Sequence, residues 1–171
     1  MPDDICTLSV PIFMRGLANL DKLLAIAAKH VEDHKIEPPA LLTARLSPDM
    51  FTLTRQVQIA CDTAKRTIAR FAGVEAPSFA DDESTFAHLA GRIEKTSAFI
   101  AGVKPDALAG AAERTIEMKM AGAIITLTGV EYLTRFALPN FYFHLATAYN
   151  ICRHNGVVIG KRDYLGDLSS P

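Results

Sequence analysis

This sequence has almost no net charge to offer a polyanion. Eighteen basic and 19 acidic residues leave −1 over 171 positions, and neither sign forms a long block. The electrostatic footprint of a nucleic-acid or anionic-membrane binder is therefore missing. Long hydrophobic runs are missing as well. The longest uncharged stretch, between Arg135 and Arg153, falls short of the roughly 20 apolar residues a spanning helix needs, and Pro139, two Asn and a His interrupt it. The opening residues, MPDDIC, lack the basic region, apolar run and small-residue cleavage site of a secretory leader, so export is not expected. Cysteine is scarce: Cys6, Cys61 and Cys152 make an odd number with no CxxC spacing, which argues against a disulfide framework or a zinc knuckle. Such usage suits a reducing compartment, and a cytoplasmic location is expected. Glycines form no GxGxxG or Walker pattern and no Ser-centred nucleophile elbow is present, so dinucleotide, nucleotide and α/β-hydrolase readings lack support.

What is present is amphipathic helix. Residues 1–171 suit a single domain with room for a sizeable core. Apolar residues at 13, 17, 20, 24, 27 and 31 alternate steps of four and three, which predicts a first helix fading near His34, before Glu37-Pro38-Pro39. Ser47-Pro48-Asp49 reads as the start of a second helix. Its stripe of Met50, Leu53, Val57, Cys61, Ala64, Ile68 and Phe71 runs to Gly73. After the loop VEAPSFADD, a third stripe carries Phe86, Leu89, Ile93, Ser97 and Ile100 and ends near Gly102. Thr115–Met120 and Ala123–Leu127 predict a small hairpin around Ala121-Gly122, and Thr128 with Glu131 predicts a capping box. A last long helix places Leu138, Phe141, Leu145, Ala148 and Cys152 on one seam and stops at His154-Asn155-Gly156. Four such stripes bury together most simply as an all-α four-helix bundle with a crossover and a hairpin before the last helix. The segment VVIGKRDYLGDLSSP is expected to fold back over one end. Cys61 and Cys152, on apolar stripes, read as small buried hydrophobes.

Beside those seams runs a second, polar line. On the last helix it holds Asn140, His144, Thr147 and Ile151; on the second helix it holds Arg55, Gln58, Asp62 and Lys65. If the two helices are neighbours, Gln58 and Asp62 face Asn140 and His144 across the interior, where bundles build metal and cofactor sites. The plainer reading is a satisfied polar network in the core. His30 and His34 have the i, i+4 spacing of a chelating pair, but they sit at a helix end among Lys29, Glu32, Asp33 and Lys35 with no third ligand. His88 reads as a boundary residue and His154 as a helix C-terminal cap.

The stretches MFTLTRQVQIACDTAKRTIARFAG, LTGVEYLTRFALPNFYFHLATAYNICRHNG and IGKRDYLG together resemble an uncharacterised bacterial family, a domain of unknown function placed among the DinB/YfiT-like four-helix bundles. The likeness covers nearly the whole chain and implies the same bundle with a crossover before the last helix. In better understood members a divalent metal, often zinc or nickel, is held by three histidines, and several of those proteins are thiol-dependent transferases or isomerases. The resemblance matches His144 to the later histidine of the last helix, Asn140 to the earlier one and Gln58 to the remaining ligand. Two imidazoles are thus replaced by amides, whose neutral carbonyl oxygens hold such metals poorly. Asp62, one turn after Gln58, would supply a carboxylate to a degenerate, weakly held divalent-metal site.

Two functions follow as expectations. One is a small-molecule-binding or metalloenzyme-like bundle with a polar pocket of His144, Asn140, Gln58 and Asp62, in which His144 serves as general base or imidazole ligand; whether a reaction occurs is left open. The other is a non-catalytic homodimer or interaction scaffold without metal, with Phe99, Phe136 and Phe143 as either interface or additional core residues. Neither calls for nucleic acid or a membrane.

Overall fold

A computed structural model describes residues 5–120 and 122–168. The leader reading of the first residues rests on positions 1–4, which lie outside the described residues, as does Ala121 of the expected turn. Helix α1 spans Val10–Asp33 and ends where the periodicity predicts. The Glu37-Pro38-Pro39 segment does more than stop it. With both prolines in the first two helical positions, where a missing N–H costs nothing, the segment opens a short helix α2, Pro38–Leu42.

Helix α3 spans Leu53–Ala72, 20 residues, and is shorter than the Ser47-Pro48-Asp49 signal predicts. The Ser47 hydroxyl donates to Asp49 Oδ1 at 2.6 Å, and the Met50 N–H bonds the Ser47 carbonyl at 3.0 Å, which closes a turn instead of capping a helix. The N-cap is Thr52, whose hydroxyl accepts from the Arg55 N–H. Helix α4 spans Phe86–Gly102 from an N-cap at Thr85. A short 3-10 turn at Pro105–Leu108 leads to strands β1, Thr115–Met120, and β2, Ala123–Thr128, paired antiparallel from Thr115↔Thr128 to Met120↔Ala123. Ile116 and Met118 are the buried side chains of β1.

The Thr128–Glu131 capping box forms and opens helix α5, Gly129–Tyr132. A π-helical turn, Leu133–Ala137, then runs straight into α6, Leu138–His154. Pro139 stands in the first turn of α6, where a helix tolerates proline. It has no N–H for the preceding turn, and the widened turn just before it accommodates that loss. Helix α7, Lys161–Leu165, folds back onto α1, where Asn19 donates to the Tyr164 carbonyl at 3.2 Å and Arg15 to the Leu165 carbonyl at 3.0 Å.

Helix α3 packs against α4 on one side and α6 on the other, and α1 closes the bundle against α4, α3 and α6. Close approach of α1 and α6 depends on Gly16, because a Cβ there would stand 2.5 Å from Phe141 Cε1. The Phe141 ring meets Phe13 edge-on at 5.0 Å. Among the described residues no helix is long and apolar enough to cross a membrane.

Candidate functional site

Helix α3 carries polar groups on two faces, and those faces meet different neighbours. Gln56 and Thr63 are seven residues apart, two turns, so they share one face, which meets α6. The Gln56 amide donates to the Phe51 carbonyl at 3.0 Å, which fixes its orientation and leaves Oε1 to accept from His144 Nδ1 at 2.6 Å. That contact sets the imidazole tautomer: Nδ1 carries the proton and Nε2 the lone pair. One turn earlier on α6, Asn140 Nδ2 donates to Thr63 Oγ1 at 2.8 Å. His144 is 6% exposed. Burial, with a further contribution from the Arg55 guanidinium, pushes its pKa down to about 4. At neutral pH it is an uncharged ring in the helix seam.

Gln58 lies on the other face, and Asp62 stands between the two, bonding toward α4 while bordering the α6 side. Gln58 is about 200° around the helix from Gln56, and it bonds Glu83 at 2.7 Å and Arg55 at 3.0 Å. Asp62 pairs with Arg92 of α4 at 2.9 Å, and with Lys65 and Arg66 at 3.1 Å each. Arg92 is the hub of this second network. Its side chain is 1% exposed, yet it reaches three carboxylates, Asp62, Asp81 and Glu83, within 3.0 Å. It also donates to the Ala80 carbonyl, and so fastens the 73–85 loop to the bundle. Burial alone would raise the Asp81 and Glu83 pKa values, but hydrogen bonds from Arg55, Arg92 and Gln58 outweigh it and hold both carboxyls below their usual range. Lys65, buried beside Asp62, lies 3.9 Å over the Phe79 ring.

The structure thus brings His144 to Gln56 and Asn140 to Thr63, and it bonds Gln58 to Glu83 and Asp62 to Arg92, although Asp62 and Asn140 line one cleft. A divalent ion needs several deprotonated donors converging on one point. Here the Asn140 and Gln58 amides donate to protein acceptors, Asp62 is neutralised by three cations, and a guanidinium stands close enough to His144 to disfavour positive charge on it. No group of three or more His, Cys, Asp or Glu among the described residues is arranged to hold a metal ion. The three residues matched through the resemblance, with Asp62 added, therefore do not fit a tight divalent centre.

A cleft does open beside Asn140. It has a volume of about 370 Å³ and is walled by α3 (Arg55, Ile59, Asp62, Thr63, Arg66, Arg70), by Asp81 of the 73–85 loop, by Met118 and Lys119 of β1, and by Tyr132, Phe136 and Asn140. His144, one turn along α6, is not part of its lining. Arg70 is held in place from inside: it donates to the Tyr132 hydroxyl at 2.6 Å and lies 5.2 Å from the centre of that ring. The sequence reading missed Gln56, Thr63, Arg66, Arg70, Lys119 and Tyr132. The Gln56/Thr63 heptad step was a usable signal; Lys119 and Tyr132 reach the cleft only through the hairpin and the π turn.

No curated protein matches the chain. A crystal structure of a DinB family member from Shewanella denitrificans superposes with a TM-score of 0.87 at 42% identity, over 96% of this chain and 93% of that one. Residues 5–165 match the model of a domain of unknown function, DUF1993. On this architecture, and with that match over nearly its whole length, the chain belongs to the DUF1993 family of DinB-like helical proteins.

Proposed function

We propose that the chain is a small-molecule-binding bundle whose ligand site is the cleft between α3 and α6, with β1 as one wall. The observation that carries this reading is the cleft's lining: Asn140, held by Thr63, and Arg70, held by the Tyr132 hydroxyl, supply fixed polar groups, while Ile59, Met118 and Phe136 supply an apolar side. His144 is then a positioning residue. Its bond to Gln56 fixes the register of α6 against α3 and so sets where Asn140 stands. A ring with a pKa of about 4 is a weak base at pH 7, which disfavours general-base work by His144 itself. The test is a thermal-shift screen of small metabolites against wild type and Asn140→Leu. Compounds that stabilise wild type but not the variant support the cleft; if every stabilising compound acts equally on both, the reading fails.

A second reading, a homodimer, is favoured by one observation. Tyr142, Leu165 and Leu168 are 43%, 39% and 70% exposed, and with Ile12 they line a shallow groove where α7 meets α1 and α6. Analytical ultracentrifugation of wild type and Leu168→Asp decides it: a dimer that the substitution dissociates supports this face, and a wild-type monomer at high concentration refutes it.

A further inference from the structure

We infer that the ligand of the α3–α6 cleft is a small organic anion, a carboxylate or phosphate ester with an apolar body, recognised by the oriented Arg70 guanidinium and its cationic neighbours instead of a metal. This rests on the cleft reading above. The local charge favours it. Asp62, Asp81 and Glu83 form a connected cluster with Arg55, Lys65, Arg66 and Arg92, three acids against four bases. Both carboxylates that line the cleft, Asp62 and Asp81, are also bonded to Arg92, which approaches from outside the lining. They are therefore compensated from behind. Arg70 and Lys119 line the same cleft with no ion-pair partner among the described residues, so the region carries an excess of positive charge within a chain whose total is −1.

Geometry adds to charge. The Tyr132 hydroxyl and ring orient the Arg70 guanidinium without pairing it to a carboxylate, which leaves the rest of its planar donor fork for a carboxylate or phosphate. Asn140 spends one amide N–H on Thr63 and keeps its carbonyl oxygen for a ligand hydroxyl. Ile59, Met118 and Phe136 face the remaining space, and about 370 Å³ accommodates a ring-sized body.

The test is an NMR titration of the full chain with phenyl phosphate, benzoate and neutral benzyl alcohol, at low and high salt and with and without EDTA. At least one of the two anions should shift the amides of Thr63, Arg66, Arg70 and Asn140, more strongly at low salt, with EDTA having no effect. Benzyl alcohol should bind about tenfold more weakly or worse. Arg70→Gln should weaken the anion about tenfold. Because Arg70 also holds Tyr132, the double variant Arg66→Gln/Lys119→Gln, which changes exposed side chains, should weaken it as well without altering the fold. Loss of binding in EDTA, an alcohol that binds as tightly as the anions, indifference to both sets of substitutions, or no binding of either anion overturns the inference. Neutral hits lost in Asn140→Leu would in that event leave the cleft standing.

Discussion

Protonation of His144 should cost the fold stability, and the amount follows from its surroundings. The ring is 6% exposed and its pKa lies near 4, whereas an unfolded chain leaves histidine near 6.5. A histidine whose folded pKa is depressed favours the fold when neutral. Its contribution is complete above about pH 6.5 and is lost as the pH falls toward 4. Linkage between those two values gives a loss of about 2 kcal/mol by pH 5 and about 3 kcal/mol by pH 4. Other groups titrate over the same range, so the measurement is a difference. Urea unfolding of wild type and His144→Leu at pH 7 and pH 5 should show wild type losing about 2 kcal/mol more than the variant. The variant starts lower, because Gln56 Oε1 loses its donor. Arg55→Gln should raise the His144 pKa, since the guanidinium adds to the depression. Equal pH slopes in the two proteins, or an NMR titration of His144 near 6.5, would refute the buried neutral seam.

Arg92→Met leaves Asp62, Asp81 and Glu83 without their shared cation, and should lower stability by about 3–5 kcal/mol in denaturant unfolding; it should also expose the 73–85 loop to protease. Gly129→Ala would put a methyl group inside the contact shell of the Ala111 carbonyl oxygen, so a loss of about 1–3 kcal/mol and a lower Tm are expected. Cys61 and Cys152 are buried, and their thiols are pushed up to about 12. Both should resist a thiol reagent in the native protein at pH 8 and react once it is unfolded.

The long stripes made the bundle readable, because apolar periodicity reports which face of a helix is buried. It does not report against which neighbour. Gln58 and Gln56 differ by two positions, yet on α3 one meets the acidic loop beside α4 and the other meets α6. In the polar line of Arg55, Gln58, Asp62 and Lys65, Asp62 bonds Arg92 on α4 while Arg55 and Gln58 bond Asp81 and Glu83 of the loop before it. Arg92 itself sits near an apolar stripe and gave no sign that three carboxylates would converge on it. Ser47-Pro48-Asp49 had every feature of a helix start; the side chains satisfied each other first, and Thr52 took the cap.

A crystal structure of the protein saturated with phenyl phosphate tests the central claim most directly. The account predicts a ligand in the α3–α6 cleft, its phosphate against Arg70 and Arg66 and its ring toward Phe136. A ligand seated elsewhere, or a cleft holding no ligand at saturation, would contradict it.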